Sequence, residues 1–434
     1  MERIQTVVVG GGHAGLAMSW LLTERSVEHV VLERGRIAER WRSERWDSLH
    51  LLSPNWATWL PGWSYSGPDG DGFMHRDEVV DYLEAYAAFF GAPVRSGVEV
   101  RSLEPSPDGD GLLLCIDGGS LQADNVVIAT GPFQAPRLPS AAEQLPEHIN
   151  QIHSSGYRRP DDLPPGAVLV VGTGASGQQI ADELLRAGRR VFVSVGRHRP
   201  VPRRYRGRDY FWWLENTGYY DKTAQDVPAA ERRRGASPAL TGGGGGRYDL
   251  DLRRMASEGA TLLGRIRGVD GRGLRLAPDL GSSLADGDTA LEQFVSWVEE
   301  RVEMPGVRVE EPQSFPRHPD PPEVSAPILQ LDLDQEGIAT VVWATGFRPA
   351  FNSWVRLPVL DEEGEPIHER GVSPYPGVFF LGLHWLHRSR SAFIRGAEED
   401  ARHLLERIAK RVECASGHEE SRGVSPRLQA PPNT

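Results

Sequence analysis

Three glycines at Gly10, Gly12 and Gly15, and three more at Gly172, Gly174 and Gly177, repeat one spacing, G-x-G-x-x-G. Between a strand and a helix, that spacing binds a dinucleotide. The first glycine makes the turn, the second lets the backbone approach a pyrophosphate, and the third lets helix and strand pack closely. The phosphates rest on the N–H groups at the helix start. Other chemistry has no comparable signature. The chain shows neither a catalytic triad nor metal-ligand spacing, so no metal is expected. Its two cysteines, Cys115 and Cys414, are far apart and outside any C-x-x-C. That excludes a disulfide framework, a zinc ribbon and a dithiol redox centre.

The elements that would position these turns are legible. Ile4 to Val9 is a β-branched, apolar run suited to a buried parallel strand. A helix is expected over His13–Thr23, with apolar Leu16, Trp20 and Leu21. A second strand, His29–Leu32, then ends at Glu33. An acid there can accept hydrogen bonds from a ribose 2′-OH. The second turn follows a strand at Val168–Val171 and precedes a helix expected from Gly177 to Ala187. Ser176 stands at the helix start, where its hydroxyl can cap the helix or meet a phosphate. The next strand, Arg190–Val195, ends without an acid; Ser194, Arg197, His198 and Arg199 follow or close it. An acid would repel a 2′-phosphate and an arginine accommodates one, so this turn is expected to prefer NADPH to NADH. Gln178 lies in the same helix and joins the expected cofactor contacts.

Placing the first turn at the very N-terminus resembles the FAD-binding two-domain reductases and monooxygenases. "VVIATG" (Val126–Gly131) and "VVWATG" (Val341–Gly346) resemble the segments where such chains cross between FAD and NADP domains. "INQIHSSGYRRP" resembles the identifying motif of the flavin-containing monooxygenases, with His153, Ser154 and Tyr157 matching and Glu147 and Ile149 departing. "RWDSLHLLSPNWATWLPG" (Arg45–Gly62) resembles the segment beneath the flavin, including that of the plant auxin-forming monooxygenases. Relatives place an asparagine near flavin N5 in this segment. Here Leu52 stands at that place, and Ser53 and Asn55 are the polar candidates for a catalytic role.

The resemblance implies an α/β protein with two Rossmann-like dinucleotide-binding domains, the NADP domain inserted into the FAD domain. Residues 1–160 and 336–412 would form the FAD domain and 161–335 the NADP domain, leaving 413–434 as a disordered tail. It implies FAD held by His13, Ala14, Glu33, Arg34, Trp41 and Leu49, with Val100, Thr130 and Gly131 beside them. Gly346 at the return crossing, and Gly382 and Leu383 at the last turn, complete the flavin site. The implied reaction is NADPH-consuming insertion of one atom of O2 into a small organic substrate through a flavin C4a-(hydro)peroxide. A reductase or oxidase that releases hydrogen peroxide is the alternative.

Residues 200–250 are an aromatic and arginine-rich insertion ending in five glycines, Gly242–Gly246, expected to form a flexible hinge or loop. Two readings stand for it: a lid, with Trp212 and Trp213 shielding the site and Arg203 and Arg204 holding an anion, or a docking surface. Near the end, His384, Trp385, His387 and Arg388 follow Gly382 in a loop that could face substrate.

The 434 residues suffice for two domains. A net charge of −12 argues against nucleic-acid partners. No apolar run reaches bilayer length and no charged-then-apolar leader opens the sequence, so a cytoplasmic protein is expected. A homodimer stays open.

Overall fold

A computed structural model describes residues 1–234, 244–271, 273–304, 308–315 and 317–422. Two sheets carry the fold. In the seven-stranded sheet, Glu2–Val9 lies between His29–Glu33 and Gly119–Ile128, parallel to both. Its apolar residues Val7 and Val8 are fully buried, as a strand covered on both faces requires. The long strand Gly119–Ile128 forks. Its first half pairs antiparallel with Leu112–Ile116, and its second half takes Val378–Phe380 in parallel. Helix His13–Glu24 covers this sheet, and the closing helix Ala397–Arg422 packs on that helix.

The second sheet is wholly parallel, in the order Asn150–His153, Ile338–Trp343, Ala167–Val171, Val191–Ser194, Thr261–Leu263. Its helix runs from Ala175 to Arg186, starting two residues before the expected Gly177. Gly174, not Ser176, is the residue before the first helical turn, so the Ser176 hydroxyl caps nothing. The strands Asn150–His153 and Ile338–Trp343 both belong to this sheet. The passages between domains therefore fall outside the expected limits of 161 and 335. Beyond the two Ala-Thr-Gly segments, Ala135–Pro136 and Phe347–Arg348 run antiparallel side by side, so the two connections between the sheets are paired.

The closing helix continues to Arg422, past the expected start of a disordered tail at 413; 423–434 lie outside the described residues. Of the five glycines, Gly242 and Gly243 also lie outside them. Gly244, Gly245 and Gly246 all have positive φ, and a side chain on Gly246 would meet the Phe73 ring at 2.4 Å. This half of the run is a tight turn packed on the first domain rather than a loose hinge.

Candidate functional site

Both glycine turns open on one cleft of about 1080 Å³. They are built alike. Gly10 and Gly172 have φ of +116° and +103°, and each N–H bonds a carbonyl of the next strand, Leu32 and Ser194. A Cβ on Gly15 would lie 1.9 Å from the Gly10 carbonyl oxygen, and one on Gly177 the same distance from that of Gly172. These third glycines are packing positions and do not line the cleft. At the middle glycines, Gly12 and Gly174, a Cβ would meet nothing within 4 Å. Space is kept there at two helix N-termini, as phosphate groups require.

At the first turn, the Glu33 carboxylate accepts the N–H groups of Gly11 (2.7 Å) and Gly35 (2.9 Å). These bonds fix it at the strand end with lone pairs left for a ribose. His13, Ala14, Arg34, Trp41, Leu49 and Val100 line this end, as do Thr130 and Gly131. Gly382 lines it too, pressed so close to Ala14 that its own Cβ would lie 2.7 Å from that of Ala14. Leu383 does not: it is buried in the core, and the neighbouring His384 faces the cleft instead.

At the second turn, Ser176 and Arg197 line the cleft. Arg197 is exposed and has no acidic partner among the described residues. Its loop is tied to the turn by paired bonds between Thr173 Oγ1 and the Gly196 backbone, 3.2 and 3.1 Å. Two expected contacts fail. The Ser194 hydroxyl is buried and donates to the Gly264 carbonyl at 3.1 Å. Gln178 points inward and donates to the Thr173 carbonyl, and Gln179 takes the place at the cleft.

Of the two catalytic candidates, Ser53 lines the cleft and Asn55 does not. The Asn55 amide is buried, donating to the Asp69 carbonyl at 2.8 Å and accepting the Met74 N–H at 2.9 Å. Its role is to shape the segment. His153 ties the two connections between the sheets together. Its Nε2–H donates to the Gly346 carbonyl at 2.9 Å, so Nδ1, 2.9 Å from Ser155 Oγ, is the acceptor. Burial lowers its pKa, in keeping with this neutral form. Tyr157 is fully buried and donates to Glu183 at 2.7 Å.

The insertion closes one end of the cleft. Its helix Tyr210–Asn216 presents Phe211, which faces Phe393 at 6.4 Å. Both rings and Leu52 line the cleft. Trp213 instead fills a separate core and Trp212 packs against it, so the shielding ring is one residue earlier than expected. Arg203 holds no external anion: it is buried, paired with Asp209, and donates to the Leu52 carbonyl at 2.6 Å. Arg204 is exposed in a short hairpin outside the cleft lining. Further along, Arg388 pairs with Asp221, and the Ala224 N–H bonds the His387 carbonyl, strapping the insertion to the loop after Gly382.

Sequence reasoning missed Arg45 and Phe133. The Arg45 guanidinium lies 5.7 Å from the Trp41 ring centre and 5.6 Å from that of Phe133, in the cleft wall. Burial lowers its pKa to about 10. No motif marks it beyond its place at the start of the Arg45–Gly62 segment.

Burial lowers the pKa of both His13 and His384 to about 4. The unfolded chain therefore takes up these protons first. Stability is complete above the ordinary value of 6.5 and falls as pH drops toward 4. We expect a loss of roughly 1–3 kcal/mol per histidine across that window. Melting temperatures near neutral pH and near pH ~5 check this. His384→Gln should flatten the acid-side drop, and an unchanged slope would contradict the assignment.

A family model described as pyridine nucleotide-disulphide oxidoreductase matches residues 7–214. A Geobacillus kaustophilus protein described as an uncharacterized oxidoreductase, CzcO-like, is 32% identical over 408 residues, 93% of this chain and 98% of its own length. The rice indole-3-pyruvate monooxygenase YUCCA1 is 33% identical over 191 residues, 44% of this chain and 47% of that protein. The solved flavin-containing monooxygenase from Stenotrophomonas maltophilia superposes with a TM-score of 0.60 at 21% identity, covering 94% of this chain and 99% of that one. That likeness shows the fold. No helix among the described residues is long and apolar enough to cross a membrane.

Proposed function

We propose, for a chain that belongs to the family of CzcO-like oxidoreductases, that it is a flavin-dependent monooxygenase consuming NADPH to place one atom of O2 on a small organic substrate. The first glycine turn would hold FAD and the second NADPH. The observation that carries this is the pair of open positions, Gly12 and Gly174, facing one cleft from two helix N-termini.

Bound FAD supplies the hydride acceptor and the centre at which O2 is reduced. The chain does the rest. Backbone N–H groups at both helix starts hold the pyrophosphates. Glu33, fixed by Gly11 and Gly35, orients a ribose. Arg197 receives a 2′-phosphate. Phe211, Phe393 and Leu52 exclude water from the end of the cleft. Neutral His384 presents an imidazole to the cleft, edge-on to Phe133 at 5.6 Å.

The test is to reduce the purified protein with NADPH without oxygen, then mix it rapidly with aerated buffer. A monooxygenase of this kind reoxidises with a lag and releases little hydrogen peroxide. Immediate reoxidation with one peroxide per NADPH would replace this reading with a peroxide-releasing reductase or oxidase.

A further inference from the structure

Gly287 lies inside the helix Leu280–Glu299 and is buried there. Glycine is among the poorest helix formers, so one kept inside a helix calls for a packing reason. The reason is an imidazole. A Cβ on Gly287 would lie 2.4 Å from His198 Nε2, 3.0 Å from Cε1 and 3.1 Å from Cδ2. The missing side chain leaves a notch, and the His198 ring fills it.

His198 stands in the loop after the strand Val191–Ser194 and is 8% exposed. Its Nδ1–H donates to the Gly196 carbonyl at 3.3 Å. Gly196 is bonded in turn to Thr173 of the second glycine turn. Burial lowers the pKa of the ring, which is therefore neutral and brings no charge of its own. Its two neighbours behave in the opposite way. Arg197 and Arg199 are exposed, and both line the cleft that Ser176 lines. Neither pairs with an acid among the described residues. One ring points in and two guanidinium groups stay out.

The floor of the notch is held firmly. Asp288, the next residue of the helix, receives both Nη atoms of Arg253 at 2.9 Å each. Arg253 is itself buried, in the helix Leu252–Ser257. Leu280 and Leu284 root the same helix in the core of this domain. We propose that His198, seated in the Gly287 notch, is a positioning residue that holds Arg197 and Arg199 beside the second glycine turn for the 2′-phosphate of NADPH. Gly287 then helps to set the choice between NADPH and NADH without touching either. A loose loop would lose its freedom on binding, whereas an anchored one has already lost it on folding.

This inference rests on the second turn binding NADPH, and the measurements separate the two. The oxidised holoenzyme is titrated calorimetrically with NADP+ and NAD+. The parent protein should bind NADP+ more tightly, and Arg197→Ala should remove much of that preference. In Gly287→Ala the new Cβ meets a side-chain ring and no backbone, so the helix should form and the ring should leave its notch. Affinity for NADP+ should fall about tenfold. Affinity for NAD+, FAD content and circular dichroism should stay as they were. His198→Ala should act alike, and it decides alone if Gly287→Ala does not fold. Adding Gly287→Ala to His198→Ala should change nothing more, because the clash is gone. Additive effects of the two substitutions would overturn the anchor. So would a Gly287→Ala or His198→Ala protein that keeps the NADP+ preference while Arg197→Ala loses it. A parent protein without that preference would overturn the 2′-phosphate reading, and the anchor with it.

Discussion

Gly12→Val is expected to give a folded protein that purifies without the yellow colour of flavin. The backbone there is extended, with φ −88° and ψ −175°, which any residue adopts. A new Cβ would touch no protein atom within 4 Å. What a valine does occupy is the space beside the helix N-terminus where a pyrophosphate rests. Losing that approach should weaken FAD binding on the order of a hundredfold or more, about 2.7 kcal/mol. Gly15→Val provides the contrast. Its side chain would drive into the Gly10 carbonyl from 1.9 Å, so that protein should fail to fold. Flavin absorbance against protein absorbance, with circular dichroism, separates the two outcomes. A Gly12→Val protein with its full complement of FAD would remove the cofactor from this turn.

Arg197→Ala is expected to raise the KM for NADPH roughly tenfold to a hundredfold, the worth of a charge-assisted hydrogen bond. The KM for NADH should barely move. Because Arg197 is exposed and pairs with no acid among the described residues, its removal should leave the fold intact. Steady-state kinetics with both cofactors decide. Equal effects on NADPH and NADH would mean that Arg197 does not meet a 2′-phosphate.

Much of this was legible because it is local. A glycine turn is written in a few consecutive residues, and both turns stand where the spacing places them, with Glu33 and Arg197 at the ends of the following strands. The failures share a physical cause: the partner lies far away in sequence. Asn55 looks catalytic in its own segment, but its amide is captured by Asp69 and Met74. Ser194 is lost to the Gly264 carbonyl. Arg203 reads as a free cation until the Leu52 carbonyl, 151 positions away, takes it together with nearby Asp209. Helix phase explains another pair: starting the helix at Ala175 turns Gln178 inward and Gln179 outward. Arg45, Phe133 and Phe393 had no pattern to announce them, since a cleft wall is assembled from loops whose only shared property is where the fold puts them.

The second sheet takes its inner strand from late in the chain. Ile338–Trp343 lies between Asn150–His153 and Ala167–Val171, and the register partners Asn150 and Thr340 are 190 positions apart. During synthesis, the two earlier strands therefore emerge with open edges facing each other. The nucleotide-binding unit cannot close as an early folding unit, and loop-closure entropy must be met before the sheet gains the ladders on either side of Ile338–Trp343. The first sheet waits in the same way for Val378–Phe380. A nascent or truncated chain ending before these strands would carry two unfinished sheets, each with unpaired edges open to association with other chains.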